Sequence, residues 1–169
     1  EAARALARDL HKYGNRWAAK PTRRHGSATG ADNVVSWSTG YPFGVNLGRG
    51  YPRFNPGEFT TTDLLARQEA DAALIIASDP MGNFSQPARA HLAKIPYIAL
   101  DPKETATVRA AAVAFTTATY GINTPGTVYR MDDVPIPLRP AFESKYPSDE
   151  TVLRAIEKRV KEIQREQNG

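Results

Sequence analysis

The sequence predicts an α/β fold: a parallel sheet with flanking helices, followed by a β-hairpin or extended segment and a C-terminal helix. Three observations lead there. Two continuous apolar runs, 72–77 and 95–100, each end in an Asp-Pro pair, at Asp79-Pro80 and Asp101-Pro102; unbroken runs of this kind mark parallel strands covered on both faces. Between them 85–94 is an amphipathic helical stretch with Ala88, Leu92 and Ala93 on its apolar side, completing a βαβ unit. A hairpin pattern and a strongly periodic final segment then close the chain.

Taken in order, 2–12 forms a helix with Ala3, Leu6, Ala7 and Leu10 on one stripe, ended by Gly14. A short strand follows at 16–19, stopped by Pro21, and 28–38 forms a helix interrupted by Gly, Asn and Ser. Residues 40–59 hold five Gly, three Pro, two Tyr and three Phe, a long aromatic loop of the kind that is functional or packed on a partner. A helix at 62–70 has Thr60 to Thr62 as caps. The strand 72–77, helix 85–94, strand 95–100, helix 104–111 and strand 112–117 form the layered body. In the hairpin segment 121–140, arms at 127–130 and 134–138 flank Met131, Asp132 and Asp133, and Pro135 and Pro137 confine the second arm to an edge. Ser148 caps the last helix, 148–167, whose first turn carries Asp149 and Glu150. Val152, Ile156, Val160 and Ile163 dock it on the body.

At 169 residues the chain suits one domain. It begins with Glu1 inside a helical pattern, which reads as a fragment or processed product of a larger subunit. The absence of cysteine excludes disulfides, thiolate metal sites and iron–sulfur ligation within it and fits a cytoplasmic setting. No apolar run is long enough to span a bilayer. A net charge of +4 arises from 22 Lys and Arg against 18 Asp and Glu; the charges are scattered or alternate along the final helix, so no nucleic acid partner is expected.

Asp79 and Asp101 each follow the carboxyl end of an expected parallel strand, where open α/β sheets bind ligands. A carboxylate there accepts ribose hydroxyls or the N–H edge of guanine, and Ser78, Gly82 and Asn83 border the same crevice. Thr105 and Thr107 start the next helix, where free amides favour phosphate. The plainer reading is that Asp-Pro starts a turn and caps a helix. The glycines Gly44, Gly48 and Gly50 do not have dinucleotide spacing, and no phosphate loop of the G-x-x-x-x-G-K type occurs, which disfavours an ordinary NAD enzyme or P-loop ATPase. Arg23, Arg24 and His25 form either a surface turn or a small anion site. His11 and His91 have no metal spacing, and no metal-ligand set is read. Tyr41, Phe43, Tyr51 and Phe54 pack on a neighbouring domain or stack on a base.

The order of motifs resembles one family. TGYPFGVNLGRGYPRFNPGE at 39–58, DLLARQEADAALIIASDP at 63–80, YIALDPKET at 97–105 and GTVYRMDDVPIPLR at 126–139 resemble the C-terminal part of the B subunit of formylmethanofuran dehydrogenases, molybdopterin oxidoreductases. The resemblance implies a Rossmann-like domain holding part of a tungsten or molybdenum bis(pterin guanine dinucleotide), jointly with the rest of the subunit and a partner subunit. The complexes reduce carbon dioxide to formate in the first step of methanogenesis or one-carbon metabolism. It further implies that Ser78, Asp79, Pro80, Asn83, Asp101, Pro102, Lys103 and Thr105 contact the cofactor and that Arg23 and His25 serve the substrate pocket. The metal-binding Cys and the 4Fe–4S cluster are expected only upstream. Implied partners are the N-terminal part of the same subunit and amidohydrolase-like, small pterin-binding and Fe–S subunits.

Two positions depart from the family pattern. Arg24 stands where Gly usually separates the Arg and His, and Asn83, Phe84 and Ser85 replace His-Phe-Pro. An alternative is therefore a cofactor-free structural subunit of a bacterial formyltransferase/hydrolase complex; a third, unrelated to the family, is a nucleotide-binding regulatory module. The Asn-Pro-Gly-Glu and Ser-Asp-Pro motifs resemble the dehydrogenase more closely.

Overall fold

An alanine-rich stretch with no β-branched residue forms α1 (Ala2–Leu10), extended by one 3-10 turn at His11–Tyr13. The computed structural model describes residues 2–14, 16–17, 28–130 and 132–168. The stripe of α1 is open, with no buried residue and Leu6 exposed. Of the strand expected at 16–19, Arg16 and Trp17 lie in no strand, and the remainder falls outside the described residues. The second helix forms as expected, α2 (Ala28–Thr39). The aromatic loop contains a small antiparallel pair, β1 (Val45–Asn46) and β2 (Arg53–Phe54), with Val45 opposite Phe54. Tyr41 stacks on Phe54 with ring centroids 5.0 Å apart, and Phe43 meets Phe54 edge-on at 5.7 Å. Tyr41, Phe43 and Phe54 thus contact one another, and Tyr41, Phe43 and Tyr51 remain exposed.

Thr60 caps α3 (Thr61–Ala66) by accepting from the Asp63 N–H. The helix ends earlier than the sequence pattern because Gln68 turns left-handed at φ +60°. Its N–H donates to Leu65 O at 3.1 Å and the Glu69 N–H to Leu64 O at 3.0 Å, a closure that favours glycine. Gln68→Gly is expected to raise stability by about 0.5–1 kcal/mol, read as a higher denaturant midpoint at unchanged slope.

β3 (Ala73–Ile76) leads through α4 (Pro80–Asn83), a short helix the sequence pattern does not signal, and α5 (Gln86–Leu92) to β4 (Tyr97–Leu100). α6 (Ala106–Ala110) then connects to β5 (Val113–Phe115). The three strands are parallel and lie side by side in chain order, with Ala73 opposite Tyr97 and Ile98 opposite Val113. The expected βαβ architecture is present. One face of the sheet carries Ala73, Ile75, Tyr97 and Ala99 and packs with Leu65 of α3, Ala88 and Leu92 of α5, Met81 of α4 and Val108 of α6. On the opposite face Leu100 of the central strand is buried as expected, whereas Leu74, Ile76, Val113 and Phe115 of the two outer strands are exposed, which corrects the expectation of double cover for those strands. Among the described residues the central strand is covered on both faces, β3 on one, and β5 on neither.

β6 (Gly126–Tyr129) and β7 (Pro135–Leu138) form the expected hairpin, with Val128 opposite Ile136. The Ser148 hydroxyl accepts from the Thr151 N–H at 3.2 Å and starts α7 (Asp149–Asn168). Val152 is buried, but Val160 and Ile163 are exposed, so the helix docks by its first turns only. Its solvated face carries the Glu150–Arg154, Glu157–Lys161 and Arg159–Glu162 pairs. Among the described residues no helix is long and apolar enough to cross a membrane.

Candidate functional site

The carboxyl ends of the three parallel strands open onto a cavity of about 520 Å3, inside the ~300–1,000 Å3 range of small-molecule sites. Ala77 after β3, Pro102 after β4 and Ala118 after β5 form its sheet side, Thr127, Val128 and Leu138 its hairpin side, and Asp149 at the start of α7 closes it. Ala77 bends the chain away from β3 at φ +48°, a left-handed conformation costly for a side chain with Cβ. The bond from Ala118 N–H to Pro147 O at 2.8 Å holds α7 against the strand ends. Tyr120, Thr127 and Asp149 also border a wider groove of about 1090 Å3 between α2 and α7. A methyl group on Gly126 would lie 2.7 Å from Cδ1 of Tyr120, so glycine there lets the ring lie against the hairpin.

The chemistry of the cavity is unevenly satisfied. Oδ1 of Asp149 is buried with no hydrogen-bond partner, as is Oγ1 of Thr117 at the end of β5. A buried unpartnered acceptor is costly, and Asp149, which carries the first of these, borders the cavity. Burial pushes the Tyr120 phenol above its ordinary value, with a further push from the Asp149 carboxylate.

The strand-end residues expected from the sequence divide between two surroundings. Pro102 lines the cavity, while Ser78 and Pro80 border a smaller one of about 190 Å3 along β3. Asp79 turns toward α6: its Oδ1 accepts from the Thr107 hydroxyl at 2.6 Å and the Thr107 N–H at 3.0 Å. The Thr107 hydroxyl bond, then the amides of Thr107 and Gly82 and the Arg109 charge, lower the Asp79 pKa, while burial opposes them. Thr107 is fully buried, and its hydroxyl oxygen also accepts from the Met81 N–H at 3.0 Å. Asn83 donates to the Asp79 carbonyl at 2.8 Å, Asp101 Oδ1 accepts from the Lys103 N–H at 2.8 Å, and Thr105 caps α6 through the Val108 N–H at 3.2 Å. The amides of Thr107 and Val108, expected to face phosphate, are thus taken by protein acceptors. Arg23 and His25 lie outside the described residues. Among the described residues no group of three or more His, Asp or Glu could hold a metal ion. Sequence reasoning missed the site role of Asp149: an acid in a first helical turn reads as a dipole partner, and its place beneath the strand ends is a tertiary property.

No protein-family model matches the chain. It is 46% identical, over 94% of its length, to the B subunit of the tungsten-containing formylmethanofuran dehydrogenase 2 of Methanocaldococcus jannaschii. It is 38% identical over 92% of its length to the protein of the same name from Methanococcus maripaludis. The chain spans 37% and 36% of these relatives, matching their C-terminal part. Among solved structures, a chain of the formyltransferase/hydrolase complex from Methylorubrum extorquens, in complex with methylofuran, shares the fold. The TM-score is 0.73 at 23% identity, covering 95% of this chain and 44% of that one.

Proposed function

We propose, from homology to the C-terminal part of the formylmethanofuran dehydrogenase B subunit, that this chain holds the nucleotide end of one pterin guanine dinucleotide of a tungsten or molybdenum cofactor. The observation that carries this is the cavity at the strand ends with its unpartnered Asp149 oxygen. A guanine presents adjacent N–H donors, the complement of a carboxylate, and open α/β sheets seat nucleotides at this end. Asp149 fits that group, with Pro102 on the wall; Asp101 and Lys103 stand at the same strand end. Asp79, Asn83 and Thr105 shape the loops around it. The cofactor, when bound, supplies the electron transfer that reduces carbon dioxide to formate; this chain binds and orients the nucleotide and offers no metal ligand. Arg23 and His25 are assigned the substrate side, Arg23 facing developing carboxylate charge and His25 a proton. The rest of the subunit and the amidohydrolase-like, pterin-binding and Fe–S subunits are its partners.

The test is elemental analysis and GMP release on acid hydrolysis of the natural complex. Tungsten or molybdenum together with GMP is expected. Asp149→Ala should lower GMP per folded complex by roughly tenfold, the effect of one hydrogen bond to a charged group. The shared fold with the formyltransferase/hydrolase chain supports the second reading, a cofactor-free structural subunit. A complex with neither metal nor GMP that still transfers formyl groups selects it.

A further inference from the structure

Tyr120 stands where two hollows meet. It borders the cavity at the strand ends and the wider groove between α2 and α7, and it shares that position with Thr127 and Asp149. A tyrosine offers an apolar ring and one polar tip. The residue stays 42% exposed, so packing against the protein does not use it up.

The chain fixes this side chain from three directions. Thr119 O accepts the N–H groups of Ile122, Asn123 and Thr124, and the Gly121 N–H donates to Thr124 O at 2.9 Å, which closes a tight turn around Tyr120. On the ring side Gly126 leaves no room for a methyl group, which would lie 2.7 Å from Cδ1 and 3.5 Å from Cε1. At the tip the Glu150 amide donates to the phenol oxygen. An oxygen that accepts from an amide keeps its O–H for an acceptor. Burial, together with the Asp149 carboxylate, holds that proton in place.

Beside this donor stands an unsatisfied acceptor. Oδ1 of Asp149 is buried without a hydrogen-bond partner, so the phenol is not spent on it. A donor and an acceptor on one cavity wall, neither consumed by the other, match a ligand edge that carries a carbonyl oxygen next to an N–H. Guanine has such an edge: its O6 accepts, and the adjoining ring N–H donates.

We propose that the Tyr120 phenol, seated on Gly126, is a second base-reading group of the cavity: it donates to the carbonyl oxygen of the guanine whose N–H groups Asp149 accepts. This rests on the reading of the cavity as a guanine seat, and it adds a contact from outside the strand-end motifs.

The test uses the natural complex and reads GMP released per folded complex. Tyr120→Phe keeps the ring against Gly126 and removes one hydroxyl. The melting temperature should stay within a few degrees of wild type, while retained GMP falls about fivefold. Gly126→Ala displaces the ring and carries the hydroxyl away without deleting it, so it should lower GMP to a similar extent. The double variant should lose no more than either single one, because both remove the same bond. Tyr120→Phe with GMP at the wild-type level, in a complex where Asp149→Ala lowers it, overturns the inference and leaves the guanine seat standing. Losses that multiply in the double variant overturn it as well, since Gly126 would then act by another route. A wild-type complex without GMP overturns both readings.

Discussion

Asp79→Ala is expected to destabilise the chain by about 2–4 kcal/mol at neutral pH. The substitution removes the acceptor for the Thr107 hydroxyl and the Thr107 amide, and Thr107 is fully buried, so water does not replace it. It also leaves the Thr107 hydroxyl, which receives the Met81 N–H of α4, without the acceptor that orients it. The pH dependence follows from the lowered pKa of Asp79. A depressed carboxylate contributes stability that is fully present above its unfolded value near ~3.9 and is lost as pH falls through the lower folded value. Urea midpoints of wild type and variant should therefore differ at pH 7 and converge in strong acid. GMP per folded complex should fall far less than in Asp149→Ala, because Asp79 holds the loop and Asp149 faces the cavity. An Asp79→Ala chain as stable as wild type but empty of nucleotide would reverse that assignment.

Leu92→Ala is expected to cost about 3–4 kcal/mol, within the range for buried leucines. Leu92 is fully buried among Leu65, Ala88, Tyr97 and Ala99, where α3 and α5 meet the covered face of the sheet. Leu74→Ala, the same change on the open face, should cost well under half as much in the chain alone, since nearly half of that side chain is already in water. Chemical denaturation of the pair measures the asymmetry of the sheet directly; equal losses would mean that the bare face is covered in solution.

The layered body was legible because its signals are local. The runs around Ile75 and Ile98 are apolar without interruption, the intervening helix has its own periodicity, and Pro135 and Pro137 mark their strand as an edge. What the sequence could not show depends on partners far along the chain. Asp79 looks like a free strand-end carboxylate until Thr107 is brought to it. Asp149 looks like a helix-dipole partner until α7 is laid beneath the strand ends. The exposure of the outer strands departs from the expectation for a physical reason: apolar composition records what a strand is built to meet, and among the described residues Leu74 and Ile76 of β3 stay exposed while Leu100 beside them is buried.

The strands β3, β4 and β5 neighbour one another in chain order, and each ladder closes over one short connection. Closing short loops costs little entropy, and folding speeds up as contacts become local. The sheet is built from contacts nearer in sequence than those that bring α7 to it. α7 closes onto it over a longer span, through contacts such as the Ala118 to Pro147 bond. The cavity between the strand ends, the hairpin and α7 exists only once the hairpin and α7 are docked, so slow docking of α7 would delay its appearance without delaying that of a native sheet.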